Sequence, residues 1–221
     1  MSEQRPTMHC QSELEEDLGY EGFIPDDILH KWFNDNYSSS KHLLTLYSIV
    51  RGLNAKTILE IGFGRSSFVL ARAAYENKGR FIAVDNRDFS YLLNKAENEV
   101  TEFIHGKSDI VWGKLKDGID FAFLDYFSSE SVSGSFVKSE ITKCFSLLKQ
   151  DGIIAVHNSI VKKYNIKNAL NRQKTKMTVL HNSNIEIISL PYNYGLALIR
   201  KVGSSSYGKL EDQFQTKKSE S

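Results

Sequence analysis

The chain has 221 residues, of which 41% are hydrophobic and 25% are charged, and its 28 basic and 27 acidic residues leave a formal net charge of +1 at pH 7. This length suits one α/β domain with a buried core, and the near-neutral charge does not favour nucleic acid as a partner. The sequence shows no signal-type N-terminus and no apolar run of about 20 residues, so we expect a cytoplasmic protein with no membrane partner.

Both ends of the chain are polar. Residues 1–22 are acidic and predict a flexible N-terminal segment, and the serine-rich residues 203–221 predict a disordered tail. Residues 23–202 between them predict one domain.

The domain is expected to begin with a helical extension. Residues 26–35 and 40–53 place apolar side chains at helical spacing, and Ser40 is a candidate N-cap for the second of these helices. The stretch 38–41, which lies before the first strand, is also placed where it could close over a ligand.

After these helices, short apolar runs typical of strands alternate with longer segments of helical pattern. Strands are predicted at Thr57–Ile61, Arg80–Val84, Phe103–His105, Phe121–Leu124, Gly152–His157, Ile185–Leu190 and Gly195–Arg200. Helices are predicted at Ser67–Asn77, Tyr91–Thr101, Ser133–Leu148 and Ile160–Arg172. This alternation predicts a mostly parallel seven-stranded sheet covered on both faces. Because the sequence PYNY alone separates the last two runs, they should form a hairpin with the final strand antiparallel.

A turn with two glycines, Gly62 and Gly64, follows the first predicted strand and leads into a helix. The backbone of such a turn can approach a ligand closely, with free amide groups and the helix dipole directed at it. Asp85 follows the second strand, where an open sheet of this kind places a carboxylate that binds ribose hydroxyls. The pattern predicts a nucleoside ligand. The alternative is a structural turn, with Asp85 capping the next helix.

The segment Glu60–Ser66, with the sequence EIGFGRS, resembles the first motif of class I S-adenosylmethionine-dependent methyltransferases, with Ser66 in place of the third glycine. The resemblance covers residues 38–201 and implies a Rossmann-like methyltransferase fold with S-adenosylmethionine as the cofactor. It implies that Asp85 holds the ribose and that the adenine lies near Gly106–Ser108. The cofactor-binding residues that it implies are Glu60, Gly62, Gly64, Ser66, Asp85, Ser108 and Asp125. Ser67 stands where a dinucleotide fingerprint has its third glycine.

The residues after the fourth strand bear on the substrate. Asp125 begins the sequence DYFS, which lacks the Asp/Asn-Pro-Pro-aromatic motif of enzymes that methylate exocyclic nitrogens of nucleic-acid bases. The stretch is more similar to small-molecule O-methyltransferases of the catechol, caffeoyl-coenzyme A and macrolide-sugar types. Several of these bind a divalent metal through an acid after the fourth strand and an acidic or amide pair after the fifth. Asp125 and Asn158 match two of these ligands, whereas His157 at the third position suits a transition metal better than magnesium.

His157 has three interpretations. It could join Asp125 and Asn158 around a divalent metal, act with Asp125 in catalysis as the base that deprotonates a substrate hydroxyl, or serve the structure alone. Ser128 stands where catechol-type enzymes carry a lysine. The absence of this lysine weakens a close analogy with those enzymes and favours His157 as the base.

The resemblance implies methyl transfer from S-adenosylmethionine to a hydroxyl of a small-molecule acceptor. Two alternatives stay open: a binding or regulatory protein of this fold without methyl transfer, and a nicotinamide-dependent oxidoreductase, which Ser67 and the final hairpin disfavour. The sequence does not identify the acceptor, and it leaves open whether the protein forms a homodimer.

Overall fold

The computed structural model describes residues 39–115, 118–125, 134–159, 184–190 and 194–202. Seven strands are present: β1 (Thr57–Ile61), β2 (Arg80–Asp85), β3 (Thr101–His105), β4 (Ile119–Leu124), β5 (Leu148–His157), β6 (Asn184–Leu190) and β7 (Leu196–Val202). Five α-helices lie in the described residues: α1 (Leu43–Gly52), α2 (Arg65–Glu76), α3 (Lys95–Glu99), α4 (Asp109–Lys114) and α5 (Gly134–Leu147). Short 3-10 turns cover Ser39–His42 and Ser90–Leu92.

All seven strands form one sheet in the order β3-β2-β1-β4-β5-β7-β6. Strands β1 to β5 pair in parallel, whereas β7 pairs antiparallel with both β5 and β6. The predicted final antiparallel strand is confirmed. Because strand order reverses between β1 and β4, the carboxyl ends of these two strands flank the crevice in which such sheets bind ligands.

The central strands of the sheet are buried on both faces, which explains why they read as mainly apolar runs. Ile58 of β1 packs in a cluster with residues of α1 and α2, whereas the next residue, Leu59, packs in a cluster with residues of α4 and α5. Cys144 of α5 is completely buried in the second cluster, as expected for a small core residue. Within the described residues no helix is long and apolar enough to cross a membrane.

Two local predictions are wrong. The helix predicted over Tyr91–Thr101 is interrupted, because Leu93 is extended and the Asn94 side chain accepts a hydrogen bond from the Glu97 amide, which starts the short helix α3. Thr101 already belongs to β3. Ser40 does not cap α1, since His42 occupies the N-cap position and Ser40 lies in the preceding 3-10 turn.

Helix α4 was not predicted from the sequence. The helices predicted over residues 26–35 and 160–172, and the two terminal segments, lie outside the described residues.

Candidate active site

The turn between β1 and α2 lies directly against the end of β4. Gly62 has a φ of +97°, and its amide donates a hydrogen bond to the carbonyl of Val84 at 2.9 Å. A Cβ atom on Gly62 would lie 2.4 Å from the carbonyl oxygen of Asp125. Both the backbone conformation and the space therefore require glycine at this position.

Gly64 has the opposite surroundings. Its backbone is extended, and a Cβ atom added there would meet no atom within 4 Å. Its amide donates to Ser67 Oγ at 2.9 Å, which begins α2. The turn thus presents bare backbone to open space at the start of a 12-residue helix, and this arrangement fits the amino-acid part of S-adenosylmethionine.

Glu60, at the end of β1, is completely buried and anchors the start of α2. The hydroxyl of Ser66 donates to its Oε1 at 2.5 Å, and the hydroxyl of Ser67 donates to its Oε2. Burial raises the pKa of Glu60 to about 8, the serine hydroxyls oppose that rise, and the negative charges of Asp125 and Asp85 add to it. Both carboxyl oxygens bond to α2, so Glu60 and Ser66 can support a cofactor by fixing this helix.

Asp85 links the glycine turn to the end of β2. Its Oδ2 accepts from the amide of Phe63 at 2.9 Å and its Oδ1 from the amide of Arg87 at 2.9 Å. It does not cap the following turn, where Asp88 instead accepts from the amide of Ser90 at 2.9 Å. Asp85 is only half-buried, so its oxygens keep acceptor capacity for ribose hydroxyls.

The predicted adenine segment continues from β3. The amide of Gly106 donates to the carbonyl of Asp85 at 2.7 Å, which places this segment beside the predicted ribose site. Ser108 is buried, but its side chain bonds to Glu140 of α5. Contact between Ser108 and the cofactor stays a prediction.

Glu140 is a buried carboxylate that sequence reasoning missed. It is 1% exposed, and it accepts from Trp112 Nε1 at 2.8 Å and from Lys143 Nζ at 2.8 Å, in addition to Ser108. Burial raises the pKa of Glu140, but the hydrogen bonds from Lys143, Ser108 and Trp112 outweigh it and lower that pKa. The signal was present in the sequence, since Glu140 occupies a position at helical spacing from the core residues Val137 and Cys144.

Asp125 directly follows β4, and His157 is the last residue of the neighbouring strand β5. The structure brings these two side chains together. The amide of Asp125 donates to the carbonyl of Ile61 at 3.0 Å, and the Nδ1 atom of His157 lies 2.9 Å from Asp125 Oδ1. Asp125 is 4% exposed and His157 is 7% exposed. A neutral His157 that donates from Nδ1 to the carboxylate keeps Nε2 as a proton acceptor.

The predicted metal site is not established. Asn158 follows His157 with a φ of +60° and is half-buried. In the part of the chain that the structure describes, no group of three or more His, Cys, Asp or Glu side chains is placed to hold a metal ion. The contact between Asp125 and His157 is the part of the set that the structure contains, and the metal stays a prediction.

A second histidine lies beside the pair and was also missed. The ring of His42 packs against that of His157, with ring centroids 5.4 Å apart. The ring of Phe123 also lies near that of His157, with a centroid distance of 6.5 Å. His42 precedes α1, far from His157 along the chain, so no local spacing in the sequence relates the two.

Comparisons with known proteins bear on the fold of the chain. Residues 59–159 match the family model of a methyltransferase domain. No curated protein matches the sequence.

Solved structures are similar over most of the chain. An O-methyltransferase of Bacillus cereus in complex with S-adenosylhomocysteine shares 16% identity with a TM-score of 0.58, over 90% of this chain and 94% of that chain. A methyltransferase of Podospora anserina bound to S-adenosylhomocysteine shares 17% identity with a TM-score of 0.57, over 87% and 93%. A methyltransferase of Geobacter sulfurreducens shares 14% identity with a TM-score of 0.53, over 86% and 96%. These likenesses confirm the Rossmann-like methyltransferase fold.

Proposed function

We propose that this chain, whose residues 59–159 match the model of a methyltransferase domain, transfers a methyl group from S-adenosylmethionine to a hydroxyl group of a small molecule. The observation that carries the proposal is the buried pair of Asp125 and His157. Because the carbonyl of Asp125 contacts Gly62, this pair lies beside the turn where the cofactor would bind.

Three features of the chain would hold the cofactor. The bare backbone at Gly64 and the start of α2 would receive its amino-acid part, and the half-buried carboxylate of Asp85 would accept hydrogen bonds from the ribose hydroxyls. Glu60 would keep the start of α2 in place through Ser66 and Ser67. When bound, the sulfonium supplies an electrophilic methyl group, so the protein needs to align the acceptor oxygen and remove one proton.

His157 would remove that proton. With Nδ1 bonded to Asp125, the lone pair of Nε2 accepts the hydroxyl proton as the oxygen forms its bond to the methyl carbon. The carboxylate of Asp125 fixes the orientation of the ring and stabilises the imidazolium that forms. The electron pair of the broken carbon–sulfur bond stays on sulfur, which becomes a neutral thioether.

A metal at Asp125, His157 and Asn158 would change the role of the histidine. Imidazole in such a donor set suits a transition metal, which would lower the pKa of a bound hydroxyl. We favour the base because His157 and Asp125 bond to each other directly.

A binding experiment and a turnover experiment test the proposal together. Calorimetry with S-adenosylhomocysteine and with nicotinamide dinucleotides should detect binding of the first alone. S-adenosylmethionine should then give S-adenosylhomocysteine with members of a panel of phenols, phenolic acids and sugars. Matched amines and thiols should give none. Preferential dinucleotide binding, or transfer to the amines alone, would contradict the proposal.

A further inference from the structure

His42 is a buried histidine for which the proposed reaction has no use. It is 0% exposed and lies where the 3-10 turn Ser39–His42 meets α1. Its ring meets the ring of His157 edge-on, at a centroid distance of 5.4 Å and an interplanar angle of 72°. This separation and angle belong to the favourable edge-to-face arrangement of aromatic rings.

The turn that carries His42 is also held beside the glycine turn. Arg65 Nη1 donates to Ser40 Oγ at 3.2 Å, and both residues are buried. Arg65 directly follows Gly64 and is the first residue of α2. The position of His42 is therefore fixed with respect to the turn that would bind the cofactor as well as to β5.

The hydrogen bond to Asp125 holds the His157 ring through Nδ1. Rotation of the imidazole about its bond to Cβ would break that hydrogen bond and redirect Nε2. Phe123 lies near the ring at 6.5 Å with an interplanar angle of 37°, and His42 meets it edge-on. The His157 ring therefore has two aromatic neighbours, of which His42 is the nearer.

We propose that His42 is a positioning residue for His157: its ring holds the His157 imidazole in the orientation that keeps Nδ1 on Asp125, as the proposed base requires. This inference rests on the proposed function for its catalytic consequence, since it takes His157 to be the base. The orientation itself is a property of the protein alone. It can therefore be measured without knowledge of the acceptor.

The test is two-bond ¹H–¹⁵N correlation of the histidine rings in the full chain saturated with S-adenosylhomocysteine. We expect wild-type His157 to show one tautomer, protonated at Nδ1. His42→Ala should broaden that signal or mix the tautomers, while S-adenosylhomocysteine affinity stays within about twofold. His42→Phe, which restores a ring of similar size, should recover the single tautomer. Once an acceptor is found, kcat of His42→Ala should fall about 10–100-fold with the KM for S-adenosylmethionine unchanged.

A control separates positioning from general loss of packing. Leu46 of α1 is as buried as His42, so Leu46→Ala should lower stability without altering the His157 signal. If His42→Ala does not fold, His42→Asn carries the same expectation. A wild-type His157 spectrum in folded His42→Ala or His42→Asn would overturn the inference. Full turnover by His157→Ala would instead overturn the proposed base, and the His157 spectrum of His42→Ala would still report on positioning.

Discussion

The carbonyl oxygen of Asp125 occupies the space that a side chain on Gly62 would need, since a Cβ atom there would lie 2.4 Å from it. Gly62, in the turn proposed to bind the cofactor, and Asp125, the acid of the proposed catalytic pair, are therefore in backbone contact. A change at Gly62 must move the end of β4, and with it the carboxylate that orients His157.

This contact gives the first prediction, which compares the two glycines. Gly62→Ala should cost on the order of 1–3 kcal/mol from its positive φ alone, and the contact with Asp125 adds to that cost. Gly64→Ala should fold like the wild type, because its backbone is extended and its Cβ meets nothing. Gly64→Ala should nevertheless weaken S-adenosylhomocysteine binding about tenfold or more, since the alanine side chain would enter the space proposed for the cofactor. Thermal melting and calorimetry measure both effects. Wild-type affinity in Gly64→Ala would place the cofactor elsewhere.

The second prediction concerns the ribose. Asp85→Asn should reduce the binding free energy of S-adenosylhomocysteine by about 1.5–3 kcal/mol, because the ribose hydroxyls lose a charged acceptor. Asp88→Asn is the matched control, since Asp88 is exposed and bonds within its own turn to Ser90. Equal affinities of the two variants, measured by calorimetry, would remove Asp85 from the site.

The third prediction is a pH dependence of stability that comes from Glu60. Its pKa in the folded protein is raised to about 8 from an ordinary value of 4.5, so between these values the folded state holds a proton that the unfolded state has released. The contribution of Glu60 to the free energy of unfolding is fully present below about pH 4.5. It is lost as the pH rises towards 8, by up to about 1.4 kcal/mol per pH unit. Glu60→Gln should remove this decline. Urea denaturation of both proteins between pH 5 and pH 8 measures the difference, and parallel profiles would refute the raised pKa.

The fourth prediction concerns Glu140, whose carboxylate bonds to Ser108 in the predicted adenine segment. Glu140→Ala should destabilise the protein by about 1–3 kcal/mol, because Trp112 Nε1 and Ser108 lose a buried acceptor. Glu140→Gln keeps an acceptor oxygen and should cost less. Denaturation followed by tryptophan fluorescence measures both variants. Equal stabilities of Glu140→Ala and the wild type would contradict the role of this carboxylate.

Sequence patterns predicted the fold well where burial alone decides it. The prediction for β1 matches its observed bounds, because this central strand is buried along its whole length and is mainly apolar. The helix predicted over Tyr91–Thr101 failed at Asn94, although Asn94 and Glu97 form an N-terminal capping pair that was visible in the sequence.

The part of the candidate site that lies at the ends of the strands was predictable from the sequence. Asp125 and His157 were expected to converge because both lie at carboxyl ends of predicted parallel strands. Sheet topology gave no such rule for His42, which reaches the site from a turn before α1. Its contact with His157 depends on how α1 packs over the sheet, which local periodicity does not encode.

The central claim is that His157, oriented by Asp125, is the base of methyl transfer. Its most direct test is the initial rate of S-adenosylhomocysteine formation by the wild type and by His157→Ala, with and without a chelator, on an acceptor found in the panel. We expect the variant to be slower by about 10²–10⁴-fold with unchanged S-adenosylhomocysteine affinity, and the chelator to have no effect on the wild type. A chelator that reproduces the loss, reversed by a divalent transition metal, would make His157 a ligand instead. Wild-type turnover by His157→Ala would contradict the account.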